Sequence, residues 1–242
     1  MLRLKNISKA YNKGAVKAVD NLDLEIKSGE IFGFLGPNGA GKTTTIKMIV
    51  GLLKPDSGSV VLDDVNVWED QLGAKSMISY VPDSPEIYDR LKAIEYLNFI
   101  ADMYGISQEE RKTKIEYYTN LFNINDALGD IISSFSHGMK QKLVLTAALL
   151  NNPNLFILDE PMVGLDPKSA FNLKEIMRKM CDEGKTVFFS THVMEVAEKL
   201  CDRIAIINKG KIIAHGTMEE LRNHADENES LENIFLELTG DE

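Results

Sequence analysis

One run of residues constrains the fold of this chain more than any other feature. It reads Gly36-Pro37-Asn38-Gly39-Ala40-Gly41-Lys42-Thr43, which has the pattern Gly-x-x-x-x-Gly-Lys-Thr. The segment before it, Ile31 to Leu35, is an apolar run typical of a buried strand. The segment after it, Thr44 to Leu53, has apolar residues at helical spacing. Strand, glycine-rich loop and helix in this order predict a phosphate-binding loop on an α/β sheet.

The residue types in this loop suit a bound phosphate. Glycines let backbone N–H groups turn inward around the phosphate, and the start of the following helix adds partial positive charge. We expect Lys42 to reach the β- and γ-phosphates of a nucleoside triphosphate and Thr43 to offer its hydroxyl to Mg²⁺. The predicted nucleotide contacts are Gly36, Pro37, Asn38, Gly39, Ala40, Gly41, Lys42, Thr43 and Thr44. A glycine-rich turn that matches by chance is the alternative, but both flanking segments agree with the loop.

Charge and composition narrow the class of partner. The chain has 242 residues and a formal net charge of −10, with a pI near 5.0. Such a surface repels nucleic acid and anionic lipid, so we expect no nucleic-acid partner. Cys181 and Cys201 lack metal-type spacing and are predicted to be packing residues inside helices, in a reducing compartment. No apolar stretch approaches the roughly 18–20 residues of a membrane span, so we expect a soluble chain.

The order of the elements predicts an α/β fold with a P-loop NTPase core and a mostly parallel sheet. Alternating apolar residues within 1–30 predict an N-terminal antiparallel β subdomain, and the helical pattern from about 86 to 151 predicts an inserted α-helical subdomain. Further strands are predicted at 58–62, 78–81, 155–158, 186–189 and 204–207, and further helices at 93–103, 111–122, 137–150, 168–182 and 193–201. A tight hairpin turn is predicted at 208–211.

Two adjacent carboxylates, Asp159 and Glu160, follow the apolar run Leu155 to Leu158. Open α/β sheets bind ligands at the carboxyl ends of their strands, which places this pair beside the phosphate loop. Asp159 is the candidate partner of Mg²⁺, and Glu160 is the candidate for orienting or deprotonating an attacking water, as phosphoryl transfer to water requires. Two acids that only cap the next helix are the alternative, but they would not explain the apolar run.

With these motifs, the chain resembles the ATP-binding subunit of an ABC transporter over nearly its whole length. The family's signature, usually Leu-Ser-Gly-Gly-Gln, is similar to Phe135-Ser136-His137-Gly138-Met139. Ser136 and Gly138 at a helix start can form a second anion site from a hydroxyl, N–H groups and the helix dipole. The resemblance implies that this site closes over the γ-phosphate bound to the other subunit of a dimer. Without the resemblance, Ser136 is an ordinary N-cap.

The resemblance implies roles for three further residues. Asp166, in Gly164-Leu165-Asp166-Pro167, is expected at the subunit interface, where the pattern alone predicts an ordinary turn before a helix. His192 matches the family's switch histidine, so the resemblance implies that it contacts the γ-phosphate and orients Glu160; its position after a strand at the ligand-binding end of the sheet agrees with a functional role. A structural histidine is the alternative. Tyr11 is expected to stack on adenine, worth about 1–3 kcal/mol by analogy with base stacking, with an exposed or core tyrosine as the alternative.

Asp83 departs from the family pattern. The family has glutamine after the strand that follows the loop helix, whereas this chain reads Tyr80-Val81-Pro82-Asp83. The substitution shortens the side chain and adds a negative charge near Mg²⁺ and the γ-phosphate. Asp83 therefore either ligates the metal or relays the nucleotide state to a membrane partner. Because Pro82 sets a rigid entry and the helical segment begins just beyond it, we favour the relay.

The chain divides into an ATPase domain at 1–222 and a C-terminal part at 223–242, which we predict to be a linker and a short amphipathic helix. This helix places its apolar residues at helical spacing, with Glu232 and Glu237 on the wet side; they are Leu231, Ile234, Phe235 and Leu238. We expect it to fold back on its own domain, with an interdomain contact as the alternative. This end resembles bacterial export-type subunits more than the long accessory domains of sugar importers.

The function expected from this resemblance is an ATP-binding and ATP-hydrolysing subunit of an ABC transporter, of the export-type branch. It would dimerise around two Mg-ATP, as a homodimer or heterodimer, and drive a transmembrane permease from the cytoplasmic face of the cell membrane. A soluble ABC-type ATPase that acts on ribosomes or DNA is one alternative, and a weakly catalytic regulatory module is another. The transported substrate, the transport direction and the choice of dimer are not determined by the sequence.

Overall fold

The computed structural model describes residues 1–12, 16–84, 87–222 and 230–239. In these parts of the chain the strands β1 to β10 are Leu2–Tyr11, Val16–Ile26, Ile31–Leu35, Ser57–Leu62, Val65–Asn66, Ile78–Val81, Leu155–Asp159, Thr186–Thr191, Arg203–Asn208 and Lys211–Gly216. The helices α1 to α9 are Lys42–Ile49, Gln71–Met77, Ala93–Met103, Gln108–Leu121, His137–Leu150, Pro167–Asp182, Met194–Leu200, Met218–Arg222 and Leu231–Thr239. Among the described residues, 3₁₀ turns lie at Asn125–Ala127 and Ile132–Ser134.

The strands form two sheets. The larger sheet has the order β10-β9-β3-β8-β7-β6 and is parallel except for β10, which runs antiparallel to β9. The smaller sheet is antiparallel, with the order β2-β1-β4-β5. The predicted fold class, with a mostly parallel sheet and an N-terminal antiparallel sheet, is therefore confirmed. Strands β4 and β5, which come after the phosphate loop in the chain, complete the antiparallel sheet.

The parallel sheet is buried on both faces, which explains the unbroken apolar runs in the sequence. Phe156 and Leu158 pack in a cluster with residues of α3 to α6. Leu155 and Ile157 pack in a second cluster with α1 and the antiparallel sheet. A strand covered on both sides needs an apolar residue at nearly every position. A third, smaller cluster lies between the sheet and helices α7, α8 and α9.

Helix α1 spans Lys42–Ile49, so it begins earlier and ends earlier than the predicted range. Gly51 has a φ of +72°, and the N–H groups of Leu52 and Leu53 both donate to the carbonyl of Lys47, at 2.9 and 3.0 Å. A left-handed residue directly after the last turn ends a helix in this way. Gly51 is thus the stop signal that the hydrophobic pattern does not reveal.

The inserted helical segment lies between β6 and β7 in the chain, and the helices predicted at 93–103 and 137–150 have the limits that the structure gives to α3 and α5. Helix α4 begins at Gln108 rather than at 111, because the Ser107 hydroxyl caps it by accepting from the Glu110 N–H at 3.3 Å. The short elements α2, α8 and β5 were not predicted. The domain boundaries at 222 and around 86–151 stay predictions.

Cys201 lies just after a helix rather than inside one. Helix α7 ends at Leu200, and the next residues turn into β9 because the Asp202 N–H donates to the carbonyl of Ile31 at 2.8 Å. Both cysteines are free thiols; Cys181 is buried and Cys201 is half-buried. They pack in or against the cluster of helices α3 to α6.

The C-terminal helix is present as α9. Leu231 and Ile234 are buried, whereas Glu232 and Glu237 are exposed. Because α9 packs against α7 and α8, it folds back on its own domain as expected. The predicted linker at 223–229 and the side chain of Leu238 lie outside the described residues. Across the part of the chain that the structure describes, no helix has the length and apolar character to cross a membrane.

Candidate functional site

The phosphate loop, residues 36–41, connects β3 to α1 at the carboxyl edge of the parallel sheet. The β9–β10 hairpin holds it in place, since the Gly210 N–H donates to the Ala40 carbonyl at 2.9 Å. The Gly210 carbonyl in turn accepts from the Asp20 N–H of β2 at 2.9 Å. Strand β2 and the β9–β10 hairpin thus hold the phosphate loop in place at the start of α1. The conformation of the phosphate loop therefore depends on these two elements as well as on its own residues.

Lys42, the first residue of α1, is buried, with 8% of its surface exposed. Its Nζ donates to the carbonyl of Gly36 at 2.5 Å and to that of Pro37 at 3.3 Å, so the side chain folds back across the loop. Burial lowers the pKa of Lys42, and the carboxylates of Glu160 and Asp159 oppose that lowering. The loop therefore holds a cation in a setting where phosphate oxygens can receive its hydrogen bonds.

Asp159 ends β7 and is held by two hydroxyl groups. Thr43 Oγ1 donates to its Oδ2 at 3.2 Å, and Ser190 Oγ, from the neighbouring strand β8, donates to its Oδ1 at 2.8 Å. Burial raises the pKa of Asp159, and the hydrogen bonds from Ser190 and Thr43 oppose the rise. The structure thus brings both predicted magnesium partners on this side of the site, Thr43 and Asp159, into direct contact.

This donor set suits a metal that is bound together with a nucleotide. Mg²⁺ in phosphoryl-transfer sites takes one or two protein carboxylates and completes its shell with phosphate oxygens and water. Asp159 and Thr43, which lie in hydrogen-bond contact, would supply a carboxylate and a hydroxyl to such an ion. Within the described ranges, no group of three or more His, Cys, Asp or Glu residues could hold a metal.

Glu160 follows in a left-handed backbone conformation, with a φ of +50°. Non-glycine residues adopt this conformation rarely, and such strain is concentrated at functional sites. The Glu160 N–H donates to the Ser190 carbonyl at 3.0 Å, which helps to hold the strained turn. Its carboxylate contacts His192 Nδ1 at 2.9 Å and accepts from the Thr191 hydroxyl at 3.3 Å. Glu160 and His192 therefore form a pair at the ends of neighbouring strands.

Tyr11 is the last residue of β1 and is paired with Val16, the first residue of β2. Its side chain is 42% exposed. Asp20, further along β2, is hydrogen-bonded to the hairpin that holds the phosphate loop. The exposed ring of Tyr11 thus lies at one end of the β1–β2 pair. Strand β2 of this pair supports the phosphate loop through the hairpin.

Asp83 lies two residues beyond β6 and is exposed. Its charge is one of the causes that raise the pKa of Asp159 and of Tyr80, after burial, which is the largest cause for both. Asp83 therefore lies within electrostatic reach of the metal-type donors. In the described part of the chain it makes no hydrogen bond to them.

Ser136 is the N-cap of α5, where its exposed hydroxyl accepts from the Met139 N–H at 3.3 Å. The next turn packs on residues 164–166 of the same chain, which we call the 164–166 loop. A β-carbon at Gly138 would lie 2.4 Å from the Gly164 carbonyl oxygen, and one at Gly164 would lie 2.8 Å from Cδ2 of His137. Space requires glycine at position 138, and the left-handed φ of +78° favours glycine at position 164.

Asp166 caps α6 and is also held by a lysine of α5. It accepts from the N–H of Ser169 at 3.0 Å and from the Ser169 hydroxyl at 2.8 Å. Lys142 Nζ lies 2.5 Å from its Oδ2. The hydrogen bond from Lys142 is the largest cause that lowers the pKa of Asp166, and with the bonds from Ser169 it holds this pKa far below its usual range. Helix α5 and the 164–166 loop are therefore connected by an ion pair as well as by packing.

Three residues of this site were not predicted: Ser190, Thr191 and Lys142. The first two directly precede His192, so polar residues at the end of a predicted strand were an available signal. Lys142 gave no local signal, because its partner Asp166 lies in a distant part of the sequence.

A phosphate loop that faces a carboxylate pair across one edge of a parallel sheet defines a P-loop nucleoside triphosphatase. Comparison with known proteins narrows this class. The family model described as ABC transporter matches residues 19–163. The linearmycin resistance ATP-binding protein LnrL of Bacillus subtilis (strain 168) is 41% identical over 221 residues, which cover 91% of this chain and 70% of LnrL.

Solved structures agree with this match. The structure of an ATP-binding subunit of an ABC transporter has a TM-score of 0.94 and 32% identity, and the match covers 99% of both chains. A dimeric post-hydrolysis structure of the ATP-binding cassette MJ0796 bound to ADP and Pi has a TM-score of 0.82 and 27% identity, covering 90% of this chain and 99% of that chain.

The chain belongs to the ATP-binding subunits of ABC transporters and is an ATPase. Such subunits dimerise and work with membrane permeases. The alternatives of a ribosome- or DNA-directed ATPase and of a regulatory module are not favoured by these relatives.

Proposed function

We propose that two cassettes, either two copies of this chain or this chain and a related subunit, close around two Mg-ATP. Each nucleotide would contact the phosphate loop of one cassette and residues 136–138 of the other. One observation carries the proposal: Lys42, Asp159 and Glu160 converge on the phosphate loop, whereas Ser136 is exposed at a helix N-terminus. The first group can hold the triphosphate alone, and the second can complete the site only from outside.

The contacts within the phosphate-loop half support a division of roles. Lys42 would bind the β- and γ-phosphates, and Thr43 with Asp159 would hold Mg²⁺, which neutralises phosphate charge when it is bound. Glu160 would orient or deprotonate the attacking water. His192 would keep the Glu160 carboxylate in position through the 2.9 Å contact and reach the γ-phosphate.

The periphery of the site supports two further roles. Tyr11, exposed beside the sheet that supports the loop, would stack on adenine. Asp166 would lie at the contact between cassettes, where its intrachain bond to Lys142 fixes its direction. Both roles follow from the family resemblance, together with exposure and position in this chain.

An apolar groove supports the docking of a permease. The groove has a volume of about 540 Å³ and includes the exposed side chains of Leu52, Leu72, Met103 and Tyr104. Tyr80 of β6 also lines it and lies three residues before Asp83 in the chain. A permease helix in this groove would therefore contact the strand that leads into Asp83, which favours Asp83 as a relay.

We further infer that the complex works at the inner face of the cell membrane and exports its substrate. The name of LnrL as a linearmycin resistance protein supports the direction, because resistance by transport requires removal of the compound.

Glu160→Gln tests the proposed sandwich. This variant should bind ATP normally but hydrolyse it about 10²-fold or more slowly, because the general base is lost. The closed state should then accumulate as a dimer in size-exclusion chromatography with ATP and Mg²⁺. Glu175→Gln, a change at an exposed position of α6, is the control and should behave as the wild type.

A Glu160→Gln variant that stays monomeric alone and also when co-expressed with the related cassette subunit would contradict the proposal. A dimer formed only on co-expression would identify a heterodimer.

A further inference from the structure

The C-terminal helix packs behind the nucleotide site rather than on an unrelated surface. Leu231 and Ile234 of α9 are 0% and 2% exposed, and they lie in one cluster with Ala197 of α7. The Arg222 guanidinium of α8 forms an ion pair with Glu198 of α7 at 2.5 Å. The chain after β10 therefore holds α7 by apolar packing and by charge.

Helix α7 is the direct continuation of the segment that carries His192. Its first residue, Met194, packs against the same cluster. Between them, the Val193 N–H donates to Thr191 Oγ1 at 3.1 Å, and that hydroxyl donates to Glu160 at 3.3 Å. A shift of α7 would thus move both groups that hold the Glu160 carboxylate.

The cluster has a second route to the site. Leu35, the last residue of β3, belongs to it and directly precedes the phosphate loop. A disturbance that travelled through Leu35 would change the loop and so the affinity for ATP. A disturbance that travelled through α7 would change the orientation of Glu160 and so the rate of the chemical step. The two routes therefore predict different kinetic effects.

We propose that α9 positions His192: Leu231 and Ile234 hold α7 so that the imidazole stays against the Glu160 carboxylate. The inference rests on the proposed role of His192 at the same site. Leu231 and Ile234 are positioning residues, since they touch neither substrate nor reacting atoms.

The test compares two apolar residues of the same helix in the full-length chain. Ile234→Ala should lower kcat for ATP about threefold to tenfold, with the KM for ATP within about twofold of wild type. Leu236→Ala, at a position 57% exposed, is the matched control and should leave both constants unchanged. Circular dichroism at the assay temperature verifies folding. Ile234→Val, which removes one methyl group, should show a smaller loss of kcat in the same direction.

A double-mutant cycle with His192→Ala separates positioning from a general loss of structure. If α9 acts through His192, Ile234→Ala should change kcat less than about twofold in the His192→Ala background. A full, undiminished loss in that background would overturn the inference while leaving the site assignment intact. A raised KM with unchanged kcat would also overturn it, because the route would then be Leu35.

The cycle also tests the assumption on which the inference rests. If His192→Ala alone hydrolyses ATP at the wild-type rate, the proposed role of His192 fails and the inference fails with it. Should Ile234→Ala be unfolded, the same cycle is run with Ile234→Val, and equal losses in both backgrounds would overturn the inference.

Discussion

The two helix starts that we assign to phosphate binding, at Lys42 and at Ser136, differ in how much of their surroundings the chain itself supplies. Lys42 is buried and bonded to its own loop, and Asp159 and Glu160 lie near enough to oppose the lowering of its pKa. Ser136 is exposed, and its hydroxyl accepts from its own helix. Within the described residues, no hydrogen bond or ion pair joins residues 136–138 to the phosphate loop.

This difference between the surroundings of Lys42 and Ser136 indicates which half of the site can bind nucleotide without a second cassette. The Lys42 half has a cation, a metal-type pair and a carboxylate with its histidine in one chain, so it should bind Mg-ATP as a monomer. The Ser136 half has only N–H groups, a hydroxyl and a helix dipole, which are too weak to hold a triphosphate unaided. We expect changes in the first half to affect binding and chemistry and changes in the second to affect association.

Asp159→Asn should have the largest effect, since it neutralises the metal partner in the self-sufficient half. Loss of a carboxylate ligand should lower Mg²⁺-dependent turnover by about 10²-fold or more, because the metal supplies several kcal/mol of charge stabilisation. The same variant should be more thermally stable than wild type at neutral pH. The folded protein raises the pKa of Asp159 above its ordinary value of 3.8, so ionisation opposes folding.

The gain in stability expected for Asp159→Asn depends on pH, and its sign follows from the raised pKa of Asp159. The stability contributed by protonated Asp159 is present below pH 3.8 and is lost as pH rises through the higher pKa of the folded state. The gain in Asp159→Asn should therefore disappear in acid. Asp56→Asn is a control for which the change in stability at neutral pH should have the opposite sign. Hydrogen bonds from Lys9 and the Ala10 N–H lower the pKa of Asp56. A thermal melt with no gain at neutral pH would contradict the assignment of a destabilising Asp159 charge.

Lys42→Ala should remove most Mg-ATP binding by the monomer. The lost contact is a charge-assisted interaction worth roughly 1.5–3 kcal/mol, about 10- to 150-fold in affinity. Titration calorimetry with ATP and Mg²⁺ measures it. Lys47→Ala, on the exposed side of the same helix, is the control and should bind ATP as the wild type does. Unchanged affinity in Lys42→Ala would remove the basis for calling this half self-sufficient.

Ser136→Ala should leave ATP binding by the monomer unchanged and weaken ATP-driven association. The capping loss alone costs about 1 kcal/mol of helix stability. Ser107→Ala is the matched control, because Ser107 caps α4 with the same 3.3 Å geometry. In a Glu160→Gln background, sedimentation with ATP should show about fivefold or greater weakening for Ser136→Ala alone. Equal behaviour of the two variants would reduce Ser136 to an ordinary cap.

Asp83→Ala should have the smallest effect on the isolated cassette, because Asp83 is exposed and acts on Asp159 only through its charge. In the complete transporter, permease-stimulated ATPase activity should fall about two- to fivefold, and basal activity less. Asp126→Ala, at another exposed acid, serves as the control. Equal losses of basal and stimulated activity, or a changed magnesium dependence in Asp83→Asn, would instead favour a metal role.

Most of the fold could be predicted because each face of the parallel sheet leaves a signal in the sequence. Strands buried on both faces read as apolar runs, so β3 and β7 were evident. The elements that were missed, α2, α8 and β5, are short and carry little periodicity. The end of α1 was misplaced because Gly51, a single residue in a left-handed conformation, outweighs the apolar pattern around it.

The site was predictable where its parts adjoin in sequence and not where they meet only in space. Asp159 and Glu160 are neighbours at a strand end, so their pattern in the sequence is enough to indicate a metal partner beside a base. The bond between Lys142 and Asp166 needs α5 and α6 to be packed first. The strained backbone of Glu160 likewise depends on the hydrogen bond from its N–H to Ser190 on the next strand.

The close approach of Gly138 and Gly164 sets how freely this region can vary as related chains diverge. Any side chain at either position would meet atoms of the other segment closer than contact distance allows. Gly138 can change only if the two segments separate, because its β-carbon would meet the backbone carbonyl of Gly164. Gly164 is restricted mainly by its left-handed φ of +78°, since its β-carbon would meet only the side chain of His137. A survey of natural variants should therefore find residue 138 fixed as glycine and residue 164 restricted to glycine by its left-handed backbone. A library that randomises this loop should keep the glycine pair and vary its neighbours.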